Sequence, residues 1–92
     1  MDKKYRIDLY KVIWGCINKK NLLFKLTTPE ISIFELNGIS LKIWKMLTLN
    51  FSQNKILNTL YNRYPKHKDK ISIEFRELIK NLKKENIIDE IH

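Results

Sequence analysis

The sequence predicts an α+β domain, a three-stranded antiparallel meander followed by three helices, and three observations predict it. Apolar residues recur every second position from Lys11 to Leu36. After Asn37 they recur at helical spacing. The connections between the runs are too short for anything but neighbouring, oppositely directed elements. With 92 residues the chain has room for one small core, so a single domain over residues 1–92 is expected, with strands over about 11–36 and helices over about 38–86.

In the first run Val12, Trp14 and Cys16 share one face, with Ile13 and Ile17 on the other. Leu22, Phe24 and Leu26 alternate with Leu23 and Lys25, and Ile31 and Ile33 with Ser32, Phe34 and Leu36. β-Branched and aromatic residues suit such pleated, half-buried positions. The tetrad Asn18-Lys19-Lys20-Asn21 and the segment Thr27-Thr28-Pro29-Glu30 read as the tight connections. The stretch Tyr5–Tyr10 is expected either to extend the first strand or to lie as an arm.

Asn37 suits the N-cap of a first helix whose apolar face is Ile39, Ile43 and Leu47, widened by Trp44 and Met46. Ser52 caps a second, with Phe51 and Ile56 placed as a hydrophobic staple, a stripe of Ile56, Leu57, Leu60, Tyr61 and Tyr64, and a stop at Pro65. A third runs from about Lys68 to Glu85 on Ile71, Phe75, Leu78, Ile79 and Leu82. Asn86 tolerates the left-handed conformation that closes helices, and Ile87-Ile88 can fold back on the core. The first two helices, joined only by Thr48–Phe51, fit a helix-turn-helix corner, so the whole reads as winged-helix-like.

The chain carries 18 Lys+Arg against 10 Asp+Glu, a net charge of +8 that favours an acidic partner, nucleic acid or peptide. Fifteen lysines, nine asparagines and 14 isoleucines also mark an AT-rich coding bias, which weakens that inference. No apolar run approaches a membrane span or a signal peptide, so a cytoplasmic protein is expected. Cys16 stands alone, and neither His67 nor His92 has a second ligand at metal spacing. Gly15 and Gly38 are the only glycines, too few for a phosphate-cradling loop, and no serine sits in a nucleophile elbow. No catalytic residue, cofactor or metal is expected.

Binding surfaces remain. Arg76 and Lys83 flank the core stripe of the third helix, with Lys80 and Ile73 slightly further round, a basic and partly apolar wall. Ile31–Leu36 closes the meander, so one of its edges is expected to be unpaired and open to a further strand.

Ile33-Phe34-Glu35-Leu36-Asn37-Gly38 followed by Ile43-Trp44-Lys45-Met46-Leu47 resembles the strand-to-helix signature of the PqqD-like family, the recognition elements for precursors of ribosomally made, modified peptides. Ile56-Leu57-Asn58-Thr59-Leu60-Tyr61-Asn62-Arg63-Tyr64 is similar to that family's second helix. Glu74-Phe75-Arg76-Glu77-Leu78-Ile79-Lys80-Asn81-Leu82, closed by Asn86-Ile87-Ile88, is similar to its third. Val12-Ile13-Trp14 and Leu22-Leu23-Phe24 stand where the family has its first strands, so the resemblance spans about residues 10–88. Asn86 replaces a usual Gly, Glu74 a common Asp, and Lys66, His67 and Lys68 stand where acidic or small residues are usual.

The resemblance implies a winged helix-turn-helix that binds a precursor's leader as an added strand beside the third strand and against the third helix. Backbone groups of Ile31, Ser32, Ile33, Phe34 and Glu35 would pair with the leader. Ser32 and Phe34, or their opposite-face neighbours, would form one wall, with Ile73, Arg76, Glu77, Lys80 and Lys83 as the other, attracting acidic and apolar anchor residues. The implied partners are the precursor peptide and a separate modifying enzyme or leader protease, as in lasso-peptide or radical-SAM systems. The rival expectation is winged-helix DNA binding through Gln53 and Asn54 near the start of the second helix. A third is a homodimer formed through the open strand edge.

Overall fold

The computed structural model describes residues 2–8, 10–26, 31–36 and 38–91, the side chains of residues 31 and 32 aside. Strands β1 (Lys4–Ile7), β2 (Val12–Ile17), β3 (Lys20–Leu26) and β4 (Ile31–Leu36) precede helices α1 (Ile39–Thr48), α2 (Gln53–Arg63) and α3 (Lys68–Lys84), and β5 (Ile88–Ile91) follows. The α+β class with antiparallel strands and three helices is as expected. The order differs: β1 and β5 form a second, two-stranded antiparallel sheet, Lys4 opposite Ile91 and Ile7 opposite Ile88. The stretch near Tyr5 is thus neither an extension of β2 nor a loose arm.

The meander β2-β3-β4 is antiparallel throughout. Its first connection is tighter than the tetrad suggested, since β3 begins at Lys20 and only Asn18 and Lys19 turn, at φ of 52° and 66°. Positive φ at both central residues matches the right-handed twist of a hairpin, and asparagine tolerates it readily. The expected connection Thr27–Glu30 and the Asn37 cap lie outside the described residues; Gly38 takes the N-cap position of α1 at φ 55°, where a Cβ is disfavoured.

The hydrophobic core lies between the meander and the helices. Register puts Val12, Trp14 and Cys16 level with Lys25, Leu23 and Asn21, and Leu23 in turn opposite Phe34. This face meets the helices: Leu23 is fully buried, and Val12 and Leu36 nearly so. The other face also carries apolar side chains, with Ile13 and Ile33 more than half exposed. Ile43, Trp44 and Leu47 of α1, Ile56 and Leu60 of α2, and all five expected stripe residues of α3 are buried. Each such side chain contributes about 1.5–3 kcal/mol by leaving water. Trp14 meets the fully buried Trp44 edge-on at 6.3 Å, while Trp44 Nε1 has no hydrogen-bond partner among the described residues.

Ser52 does cap α2, accepting from the Lys55 N–H at 3.3 Å, and Phe51 packs against the cluster containing Ile56. The amino-terminal segment reinforces that end: the Gln53 N–H donates to the Lys3 carbonyl at 2.7 Å, and the Asn54 N–H to Asp2 Oδ1 at 2.9 Å. Hydrogen bonds from the Ser52 side chain and then the Asn54 N–H hold the Asp2 carboxyl below its ordinary value. Its contribution is therefore present above the unfolded carboxyl's pKa and is lost as pH falls through the depressed folded value. Asp2→Asn should lower the urea midpoint at neutral pH and leave it unchanged in strong acid, read by denaturant titration at both pH values. At the other end Asn86, at φ 59°, turns the chain from α3 so that Ile87 and Ile88 enter the core.

Candidate functional site

Strand geometry decides which backbone groups β4 leaves open. In an antiparallel ladder the N–H and C=O of one residue point to the same side, and successive residues alternate. The Leu26 N–H donates to the Lys11 carbonyl at 2.7 Å, and a two-residue turn brackets Ile17 and Lys20 as a hydrogen-bonded pair. Lys20, Leu22, Phe24 and Leu26 therefore point their backbone groups at β2. Asn21, Leu23 and Lys25 point theirs at β4, where their partners are Leu36, Phe34 and Ser32. Ile31, Ile33 and Glu35 are left facing the outer edge, which pairs with no strand among the described residues.

An open groove of about 360 Å³ lies at the carboxyl-terminal end of β4, between Phe34, Glu35 and Leu36 and the α3 residues Glu74, Glu77, Leu78 and Asn81, with Ser40 also lining it. Its floor is apolar through Phe34, Leu36 and Leu78. Its rim is acidic: Glu35, Glu74 and Glu77 converge there, and none of the three forms an ion pair with a described residue.

Of the residues expected at the site, Phe34, Glu35 and Glu77 come together here, and the Ile31 and Ile33 backbone supplies the edge. Ser32 pairs inward with Lys25 instead, and the Ile33 side chain points to the outer face, 60% exposed. Arg76, Lys80 and Lys83 are not part of this groove. They line a separate cavity bounded by Lys3, Tyr5 and Gln53. Ile73, half exposed, lines neither. The reason is helical: at roughly 100° per residue the core stripe of α3 has two flanks, and the cations form one of them. The flank carrying Glu74, Glu77 and Asn81 is the one that faces β4. Glu74 and Asn81 were missed because a stripe on one helix does not say which of its flanks a strand will approach.

The residues for reading DNA are differently placed as well. Gln53 accepts a hydrogen bond from the Tyr5 hydroxyl at 2.8 Å, and the start of α2 is covered by Asp2, whose carboxylate sits beside Asn54. A carboxylate there repels the phosphates that a major-groove helix must approach. Among the described residues no three His, Cys, Asp or Glu side chains gather to hold a metal ion, and no helix is long and apolar enough to cross a membrane. No family model, curated protein or solved structure matches the chain.

Proposed function

We propose that this chain is a non-catalytic recognition domain of winged helix-turn-helix type that captures the leader of a ribosomally made precursor peptide in the cytoplasm. It hands that peptide to a separate modifying enzyme or leader protease, of the lasso-peptide or radical-SAM kind. The reading rests on one observation: the edge of β4, unpaired among the described residues, with the backbone groups of Ile31, Ile33 and Glu35 facing outward and Glu35 reaching the α3 groove with its apolar floor. An extended peptide adds there as a fourth strand of the meander. Main-chain pairing supplies affinity, and every second side chain enters the groove over Phe34, Leu36 and Leu78 to set register. The acid rim supports a leader with a lysine or arginine between apolar anchors, rather than the acidic leader that the basic flank of α3 suggested.

The test is titration of a labelled leader, taken from a short reading frame beside the gene, with a random DNA duplex as control at low and high salt. Saturable leader binding that survives salt is expected. Salt-sensitive duplex binding with no leader binding would overturn the proposal. The double variant Glu74→Lys with Glu77→Lys should weaken leader binding by about tenfold or more, by placing like charges opposite each other. An unchanged affinity would remove the α3 wall from the site.

A further inference from the structure

The cavity on the far flank of α3, about 520 Å³, is built for a different ligand. Leu57, Phe75 and Ile79 form an apolar floor, and the nearly buried Tyr5 ring closes one side. Lys3, Arg76, Lys80 and Lys83 stand around the rim against a single carboxylate, Glu90. That carboxylate is already engaged, by Lys83 and, at 3.7 Å, by Lys3. Arg76 and Lys80 lie one helical turn apart, exposed, and neither forms an ion pair with a described residue.

The geometry points to this cleft as the docking site for an acidic peptide segment of a partner protein, with an apolar side chain between its carboxylates. The guanidinium of Arg76 takes a carboxylate through two parallel N–H groups, and Lys80 takes a second as a point charge one turn away. Between them an aliphatic or aromatic side chain reaches Phe75 and Ile79, which a simple anion or a polar acidic tail would leave uncovered. A DNA duplex fits less well, because its phosphates lie on a convex surface and offer nothing to an apolar floor. Arg76 and Lys80 are on the opposite flank of the α3 core stripe from Glu74 and Glu77, so this site and the β4 groove can be filled together. The inference stands whether or not β4 binds a leader.

The experiment uses the whole chain, isotope-labelled and followed by amide shifts. The probe is a short peptide with Leu-Phe at its centre and a pair of glutamates on either side. Saturable shifts are expected at Ser72, Arg76, Ile79 and Lys80, with Ile33 and Glu35 of β4 unmoved. Arg76→Glu with Lys80→Glu should lower the affinity by about tenfold or more while the circular dichroism stays unchanged, since both side chains are exposed and neither forms an ion pair with a described residue. The same variant should gain affinity for the probe with lysines in place of its glutamates. Absence of saturable shifts overturns the inference, as does equal binding of a probe with Ser-Ser at its centre, which would show charge acting alone. Displacement of the peptide by lower concentrations of random duplex DNA does so too, and assigns the cleft to nucleic acid.

Discussion

Proline at Ile33 should weaken leader binding by at least about tenfold in a domain that keeps its stability, whereas proline at Phe34 should strongly destabilise the fold. The contrast comes from the ladder. Ile33 points its N–H to the open edge, and its side chain is 60% exposed, so the fold loses neither an internal hydrogen bond nor a core contact. Edge strands accept proline on their outward-facing positions. The added peptide, by contrast, loses a central donor and meets the pyrrolidine ring where it should lie closest. Phe34 pairs with the buried Leu23, and its ring packs against the core. Proline there removes a ladder bond and the aromatic side chain together, roughly 4 kcal/mol or more, out of the 5–15 kcal/mol that typically holds such a domain. Thermal melts separate the two variants, and the leader titration then reads Ile33→Pro alone. A folded Ile33→Pro that binds normally would exclude strand addition at β4, and a Phe34→Pro no less stable than Ile33→Pro would reverse the assignment of inward and outward groups.

Period and punctuation made the meander and all three helices legible, because each has a local cause: alternation for β2 to β4, stripes four residues apart for the helices, Ser52 and Asn86 at helix ends. What could not be read was non-local. Lys4–Ile7 and Ile88–Ile91 are four residues each and pair across nearly the whole chain, so neither carries a pattern long enough to announce a sheet. The helix-facing side of the meander was open for a related reason. Ile13, Ile17 and Ile33 make the outer face apolar too, and only register against the buried Leu23 distinguishes the two. The candidate groove was half legible. Its strand followed from the end of the meander, but its helix wall depended on which flank of α3 lies toward β4. Glu74, Glu77 and Asn81 line the groove with β4, while Arg76, Lys80 and Lys83 line the other cavity.

The terminal ribbon is held by side chains as well as by its own short ladder, and Tyr5 ties it to α2 and α3. Only 4% exposed, it meets Phe75 edge-on at 6.5 Å and donates its hydroxyl to Gln53 at the start of α2. Lys83 lies 5.6 Å above its ring. Tyr5→Ala should cost about 3–4 kcal/mol through the cavity and the lost ring contact, enough to release β1 and with it the cover over α2. Hydrogen exchange should show β5 amides losing protection along with β1, since among the described residues the two strands pair only with each other. Tyr5→Phe keeps the ring and should cost only about 1 kcal/mol, the worth of the hydrogen bond to Gln53. Burial, and to a lesser degree the charge of Glu90, pushes the Tyr5 phenol above its ordinary value. The fold holds the neutral form, so this contribution is intact below the unfolded phenol's pKa of about 10 and is lost as pH rises through the raised folded value. Wild-type stability should accordingly fall more steeply in alkali than that of Tyr5→Phe. Parallel curves for the two proteins would mean that the Tyr5 hydroxyl contributes nothing to closing the ribbon.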